Sequence, residues 1–245
     1  MNNEIWFEYN WKLRGNPAQF HVDMQFLPEP EILNTRGKLI SISCTLRKKP
    51  SFFERRQMRS TLRRIDDAIR SSSIFAGYIE LQDSIWYYYY TSDSRLLVRI
   101  HEVLAGTRSQ KWDCTLSDEP DHETYYHLLC PDTARWQAHN NQIYSDSLKK
   151  RGDDLSQPRR ISIHVCLPAL GKDDPFFDDA KQLGFAIGSI DCNESYQLPY
   201  SISLHTVSPA HEERLTELTT SAIHLAERHS GVFERIDTEF VPKRR

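Results

Sequence analysis

Apolar and polar residues alternate along much of this chain, and each alternating run predicts a β-strand with one buried face. The first two runs, Ile5 to Leu13 and Phe20 to Phe26, flank a Gly15-Asn16-Pro17 turn and predict a β-hairpin, followed by a loop from Pro28 to Gly37. The later runs that predict strands cover residues 40–46, 75–81, 85–90, 112–116, 161–167, 186–192, 201–207 and 232–240.

Helical periodicity fills the gaps between the strands of the first half. Pro50 to Glu54 predicts a capping box, in which the serine hydroxyl and the glutamate carboxylate each bind a free amide at the helix start. A second helix, over residues 96–104, should stop at Gly106. The first of these helices carries one narrow apolar stripe, made of Met58, Leu62, Ile65 and Ile69.

The second half repeats this order of elements. Asp174-Pro175 predicts the start of a helix that ends at Gly184. Ser208-Pro209 predicts the start of a longer helix that ends near Gly231, because a serine hydroxyl can accept a hydrogen bond from a free amide there.

Between the two halves, residues 122–151 have the spacing of a helix that is interrupted at Pro131 and ends at Gly152. We expect this segment to connect two domains. The side chains that share one line of this helix are Trp136, Asn140, Ile143 and Ser147.

The order of elements predicts the fold class. Two β-α-β-β-α-β units, at about residues 39–118 and 160–240, predict an α+β protein with two ferredoxin-like units, the first preceded by the β-hairpin. The expected division is an N-terminal α+β domain at residues 1–120, a helical connector at 121–152 and a ferredoxin-like domain at 153–245.

Composition agrees with a globular protein. The length of 245 residues fits two domains, with 39% apolar and 27% charged residues, and the formal net charge of −3 is too small to select a partner. No stretch approaches the roughly 20 apolar residues of a membrane helix, and Met1 to Glu4 contains no basic segment followed by an apolar run. We therefore expect a cytoplasmic protein that does not bind a membrane.

The cysteines and histidines form no recognisable metal site. His122 and His127 are five residues apart, which on a helix rotates the second by about 140° from the first and prevents both from binding one zinc ion. The cysteines stand singly, so we expect reduced thiols in the core. They are Cys44, Cys114, Cys130, Cys166 and Cys192.

Motifs of catalysis and nucleotide binding are also missing from the sequence. It contains no G-x-S-x-G turn, no phosphate-binding loop and no G-x-G-x-x-G. His164 and His205 lie on predicted strands beside serines, where a solvent-facing or core role is favoured over a catalytic pair. We expect no catalytic residue, no metal and no cofactor.

One charged surface that could bind another macromolecule lies on the first long helix, opposite its apolar stripe. Its arginines suit phosphate or an acidic partner. Asp66 and Asp67 share this face and can pair with Arg63 and Arg70 at helical spacing, so a face whose charges neutralise each other is favoured over a binding surface. These arginines are Arg56, Arg59, Arg63 and Arg70.

A second charged surface surrounds the start of a helix in the second half. Carboxylates there stabilise the positive end of the helix dipole, which is a sufficient structural reason for them. Residues 151–242 hold eight Lys and Arg against fifteen Asp and Glu, a net charge of −7, so a basic partner would also fit. The four carboxylates are Asp173, Asp174, Asp178 and Asp179.

The aromatic run Trp86-Tyr87-Tyr88-Tyr89-Tyr90 is a candidate platform for stacked RNA bases. The neighbouring strand offers no aromatic residue on either face, whereas RNA-recognition sheets carry aromatics on both central strands. Core packing on one face of the sheet and packing against another domain on the other face are therefore favoured over direct RNA binding.

The second half, about residues 140–241, resembles the bacterial family of regulators of ribonuclease activity B. Four motifs carry the resemblance: Gly152-Asp153-Asp154-Leu155 after a helix, the strand Ile161-Ser162-Ile163-His164, the helix end Phe177-x-x-Ala180-x-x-Leu183-Gly184-Phe185, and Leu225-Ala226-Glu227-Arg228-x-x-Gly231-Val232-Phe233. The first half, with Trp6-Phe7, the basic helix and the run from Trp86 to Thr91, resembles a bacterial domain family of unknown function that often precedes this regulator.

The resemblance implies a ferredoxin-like fold and a non-enzymatic role, since the family regulator docks on the non-catalytic part of the endonuclease RNase E. The hypothesis is a cytoplasmic, protein-binding regulator, in which Asp173, Asp174, Asp178 and Asp179 or Arg56, Arg59 and Arg63 contact a ribonuclease or a basic segment of one. Two alternatives remain open: an immunity or antitoxin protein that neutralises a toxin, and an RNA-binding module. The sequence does not determine the oligomeric state.

Overall fold

A computed structural model describes residues 5–46, 51–107 and 110–243. Met1 to Glu4, where no basic segment was expected, and Pro50, the first residue of the predicted capping motif, lie outside these residues. The chain divides into two compact units, Met1–Asp132 and Thr133–Arg245.

The described part of the first unit contains six strands: β1 (Trp6–Leu13), β2 (Asn16–Asp23), β3 (Lys38–Thr45), β4 (Ser73–Leu81), β5 (Ser84–Thr91) and β6 (Lys111–Asp118). Its helices are α1 (Glu31–Asn34), α2 (Phe52–Ile69) and α3 (Leu96–Ala105), with a 3-10 helix at Met24–Phe26 and a π-helix at Thr124–Leu129. The strands form one antiparallel sheet in the order β1-β2-β4-β5-β3-β6.

Both faces of this sheet are covered over much of their area. On one face, α2 and α3 pack against Ile40 and Tyr89. On the other face, the 3-10 helix, α1 and the π-helix pack against Tyr90, with Phe26 and Tyr125 fully buried between them. The predicted core packing on one face is therefore confirmed, whereas helices of the same unit cover the opposite face, where packing against another domain was expected.

Helix α2 begins as its sequence predicts. The Ser51 hydroxyl accepts a hydrogen bond from the Glu54 amide at 3.2 Å, and the Glu54 carboxylate accepts one from the Ser51 amide at 2.7 Å, which completes the capping box. Met58, Ile65 and Ile69 of the predicted stripe are buried.

Two predictions for the loops of the first unit were wrong. Residues 24–26 form a 3-10 helix and do not continue the second strand, because the Asp23 carboxylate accepts a hydrogen bond from the Gln25 amide and turns the chain. The predicted loop at residues 28–37 contains the short helix α1.

The second unit contains helices and strands in the order α4 (Thr133–Lys150), β7 (Arg159–Leu167), α5 (Pro175–Gln182), β8 (Ala186–Cys192), β9 (Tyr200–Ser208), α6 (Glu212–Arg228) and β10 (Val232–Thr238). Its strands form an antiparallel sheet in the order β10-β7-β9-β8. Residues of α5 and α6 share one apolar core with one face of the sheet. With two antiparallel sheets and six α-helices in its described residues, the chain has the predicted α+β class.

The line of Trp136, Asn140, Ile143 and Ser147 on helix α4 is exposed. Trp136 and Ile143 are exposed, and the buried line consists of small and polar residues at spacings of four and three: Ala134, Ala138, Asn141, Ser145 and Leu148. Asn141 donates a hydrogen bond to the Thr219 hydroxyl of α6 at 2.9 Å. The contact between α4 and α6 uses close packing and hydrogen bonds, so a search for large apolar residues misses it.

The predicted serine cap of the last helix was also wrong. Ser208 is the final residue of β9, and its hydroxyl accepts a hydrogen bond from the Arg214 side chain at 3.0 Å. Helix α6 starts four residues later, after His211, whose side chain makes no capping hydrogen bond.

All five cysteines are free thiols. Cys44, Cys114 and Cys130 are buried as predicted, and burial raises the pKa of Cys44 to about 11. Cys166 is half-buried and Cys192 is exposed, so the expectation of a core position was wrong for these two, which lie on the second sheet away from its apolar core.

Candidate functional site

The four predicted acidic residues lie together around the start of α5. Asp174 is the N-cap of this helix and accepts hydrogen bonds from the amides of Phe176 at 3.0 Å and Gly171 at 3.3 Å. These bonds to the charged form hold the pKa of Asp174 below its usual range. Asp174 therefore has a structural role in starting the helix.

Asp179 is also held within the second unit. It accepts a hydrogen bond from His229 Nε2 at 3.0 Å and one from Arg228 Nη1 at 3.2 Å, and these bonds lower the pKa of its carboxyl. Asp173 and Asp178 are exposed, and within the described part of the chain they form no ion pair. Two of the four carboxylates are thus free to meet a partner.

The predicted arginines of α2 are all exposed. Arg70 pairs with Asp66, and its Nη2 lies 3.8 Å from Asp67, which confirms self-neutralisation at the end of the helix. The expected pairing of Arg63 is wrong: among the residues that the structure describes, Arg63 forms no ion pair, and the same holds for Arg56 and Arg59. The first half of α2 therefore keeps its positive charge.

The tyrosines of β5 are not available for base stacking. Tyr87 to Tyr90 are all buried, with alternate side chains beneath the two covering layers. Tyr90 Oη donates a hydrogen bond to Glu119 at 2.6 Å and accepts one from the Tyr125 amide at 3.1 Å. Burial raises the pKa of Tyr88 to about 12.

His205 does not complete a catalytic triad. Its Nε2 lies 2.9 Å from Arg160 Nη2 and 3.4 Å from Ser203 Oγ, so Nε2 accepts from the arginine and the proton of the neutral ring is on Nδ1. That Nδ1 is buried without a hydrogen-bond partner, so no carboxylate orients the ring. Burial and the charge of Arg160 lower the pKa of His205. His164 instead lies 3.3 Å from Asp237.

The remaining candidate chemistry also has structural explanations. His122 is buried, and its Nε2 lies 3.2 Å from the Arg36 carbonyl oxygen. Within residues 5–46, 51–107 and 110–243, no three His, Cys, Asp or Glu side chains are grouped so that they could hold a metal ion. No helix in the same ranges is both long and apolar enough to cross a membrane.

The first unit also contains a groove that the sequence pattern does not predict. Its volume is about 940 Å³, and its lining includes Trp11, Arg14, Leu81, Trp86 and Leu128. These residues come from β1, the following turn, β4, β5 and the π-helix. The sequence of each strand indicates which of its faces carries Trp11 or Trp86. That the two residues line the same groove follows only from the order of the strands in the sheet.

One family model matches part of the chain. Residues 137–235 match the model of the RraB family, regulator of ribonuclease activity B. A RraB family domain is found in the second half. This match runs from within α4 to within β10 and includes Asp173 and Asp178. It leaves residues 1–136 uncovered, so the resemblance of the first half to a bacterial domain family stays a prediction.

The other comparisons add no function. The sequence matches no curated protein. Two solved structures each align with 84% of this chain and 98% of their own length, at 10% identity and a TM-score of 0.23. One is an unknown protein from Galdieria sulphuraria, and the other is provisionally described as a glycine cleavage system transcriptional repressor. A TM-score this low carries no information about fold or function.

Proposed function

We propose that this chain is a non-catalytic, cytoplasmic regulator that binds a ribonuclease of the RNase E type through its RraB family domain. The observation that carries the proposal is the family match at residues 137–235.

Charge supports a basic segment of the ribonuclease as the contacted part. Residues 151–242 carry a net charge of −7, and Asp173 and Asp178 are exposed carboxylates near the start of α5. Charges at the rim of an interface mainly set the association rate and the choice of partner, and their effect falls as salt screens them. Asp174 and Asp179 contribute by building the surface on which the other two lie.

The test measures capture of a purified RNase E-type endonuclease by the full chain at low and high salt. The variant Asp173→Asn/Asp178→Asn should bind about two- to thirtyfold more weakly at low salt, since exposed ion pairs contribute about 0.2–1 kcal/mol each. The difference should shrink at high salt. The control is Asp191→Asn/Glu194→Gln, which removes two exposed acidic groups from the other end of β8. Equal losses in both variants would remove the α5 surface from the proposal, and no capture by the unaltered chain would refute the proposal itself.

We further propose that both units have the ferredoxin-like topology. In chain order, β3-α2-β4-β5-α3-β6 and β7-α5-β8-β9-α6-β10 are each β-α-β-β-α-β. In both units the first strand lies between the third and the fourth, and the second pairs with the third at the other end. The hairpin of β1 and β2 extends the first sheet beyond β4. The division into a domain at 1–120, a connector at 121–152 and a domain at 153–245 stays a prediction.

A further inference from the structure

Two phenylalanines at the start of α2 are exposed to an unusual degree. Phe52 is 73% exposed and Phe53 is 77% exposed. Their ring centroids are 6.0 Å apart and their planes are inclined by 78°, so the two rings present faces in different directions. Single exposed apolar residues are common on protein surfaces, but two adjacent aromatic rings within a charged surface require a reason.

The charge around these rings is positive. Residues 51–64 contain five arginines and one glutamate, a net charge of +4 in a chain whose total is −3. The glutamate, Glu54, is engaged in the capping box. All five arginines are exposed, and none forms an ion pair with another described residue: Arg55, Arg56, Arg59, Arg63 and Arg64.

One aromatic ring and three arginines form a single line on the helix. Phe52, Arg56, Arg59 and Arg63 follow one another at spacings of four, three and four, which places them on one face. This face is opposite the buried stripe that includes Ile65. With a rise of about 1.5 Å per residue, the line extends over about 16 Å.

These residue types match the chemistry of a single nucleic acid strand. Unpaired bases stack on aromatic rings, and guanidinium groups bind backbone phosphates with paired hydrogen bonds. Helix α2 contains five arginines and no lysine, and arginine is the better of the two for recognising phosphates and bases. A duplex would hide the faces of its bases from the rings.

An anionic membrane is a poorer partner for the same surface. A helix that lies on a membrane inserts an apolar face along its length. The apolar face of α2 is already used, because Met58, Ile65 and Ile69 pack against the sheet. Only the rings of Phe52 and Phe53, at the start of α2, would be available to insert into a membrane.

We propose that the face of α2 formed by Phe52, Phe53, Arg56, Arg59 and Arg63 binds single-stranded RNA. This site goes beyond the proposed regulation of a ribonuclease. Only the choice of RNA over DNA rests on that function, since RNA is the substrate of the enzyme.

The test is fluorescence anisotropy of the full chain with a labelled oligouridine of about 12 nucleotides, over a series of salt concentrations. The variant Arg56→Gln/Arg59→Gln/Arg63→Gln removes three phosphate contacts. The slope of log K against log salt should therefore become shallower by about 2, at about 0.7 per contact with a single strand. The control is Asp66→Asn/Arg70→Gln, which removes an arginine from the end of the same helix without changing the net charge and should leave the slope unchanged.

The aromatic contribution has a separate signature. Phe52→Ala/Phe53→Ala should weaken RNA binding about tenfold or more while leaving the salt slope unchanged, because stacking releases no counterions. Val98→Ala on α3 is the matched control, since this residue is also apolar and exposed. Thermal unfolding of each variant identifies any loss of fold.

Four results would overturn the proposal. They are no binding of oligouridine, an unchanged slope in the triple arginine variant, tighter binding to an RNA duplex or to the equivalent DNA strand, and binding to phosphatidylserine vesicles in place of RNA. None of these measurements includes the ribonuclease, so their failure and a failure of the capture assay are distinguishable.

Discussion

Asp153 and Arg159 form an ion pair whose side chains are both 0% exposed. Arg159 Nη1 lies 2.6 Å and 2.7 Å from the two carboxylate oxygens, and it also donates to the Glu239 carbonyl oxygen at 3.1 Å. Arg159 Nη2 donates to the Asp154 carbonyl oxygen, while the Asp153 carboxylate accepts the Val241 amide at 2.9 Å. The pair therefore ties the start of β7 to the segment that follows β10.

Replacing Asp153 with Asn should destabilise the second unit by about 3–5 kcal/mol, because it leaves the buried guanidinium of Arg159 without a counter-charge. A loss of this size is a large part of the roughly 5–15 kcal/mol by which domains are stable. Urea unfolding followed by circular dichroism gives the total change. Hydrogen exchange of peptides from β7 assigns it to this unit. The control is Arg95→Met, which breaks the exposed pair with Asp93 and should cost no more than about 1 kcal/mol.

A double-mutant cycle tests the reason for the loss. Arg159→Met leaves the buried carboxylate unpaired, whereas Asp153→Asn/Arg159→Met leaves neither charge buried alone. The double variant should therefore be less destabilised than the sum of the single variants by about 2 kcal/mol. Additive losses, or a loss below about 1 kcal/mol for Asp153→Asn, would refute the explanation from charge burial.

Two further predictions concern Gly77 on β4 and Asp179 on α5. Gly77→Ala should destabilise the first unit by about 2 kcal/mol or more, because φ is +150° and a Cβ would lie 2.3 Å from the His21 carbonyl oxygen. The measurement is urea unfolding. The control is Gly171→Ala, which should be nearly neutral because a Cβ there would have no neighbour within 4 Å. The carboxyl of Asp179 has a lowered pKa because His229 donates to it, so its stabilising effect is full above its ordinary pKa of about 4 and is lost as pH falls through the lower folded value. Asp179→Asn should accordingly be less stable than the unaltered protein at pH 7, and the gap should close in acid; a gap independent of pH would contradict this.

The elements that the sequence predicts well are those whose signal is local. Alternation is set by the pleat of a single strand, so it places residues 161–167 in β7 without knowledge of its neighbours. The capping box at Ser51 likewise involves only the four residues of one turn. The class and the order of elements follow from such signals.

The elements that the sequence predicts poorly depend on residues far apart in the chain. Asn141 is an inward position of α4 only because Thr219, 78 residues later, provides its hydrogen-bond partner. Ser208 has the local sequence of a helix cap. It is instead the last residue of β9, because it pairs with Arg159 of β7, 49 residues earlier in the chain. Neither a hydrophobic pattern nor a local motif contains this information.

For the candidate sites, too, the sequence predicts the local features and misses the contacts between distant residues. Charge identifies the acidic set around α5, but only the fold reveals that Asp179 is occupied by His229, 50 residues away. On α2, helical spacing predicts that Asp66 and Asp67 pair with Arg63 and Arg70. In the structure, Asp66 forms an ion pair with Arg70 and, among the described residues, none with Arg63. Phe52 and Phe53 lie inside a capping box, where no periodicity separates an exposed ring from a buried one.

The two proposed binding surfaces have charges of opposite sign. The sign of each surface determines whether it attracts RNA or a basic protein segment. Residues 151–242, at −7, repel a polyanion, so an RNA strand that binds this chain is directed to the arginines of α2. A basic segment of a ribonuclease is repelled by residues 51–64, at +4, and attracted to the second unit. Both interactions weaken in salt, and salt alone therefore cannot assign a ligand to a surface. The assignment has to come from the charge-removing variants, because the loss of carboxylates weakens one interaction and the loss of arginines weakens the other.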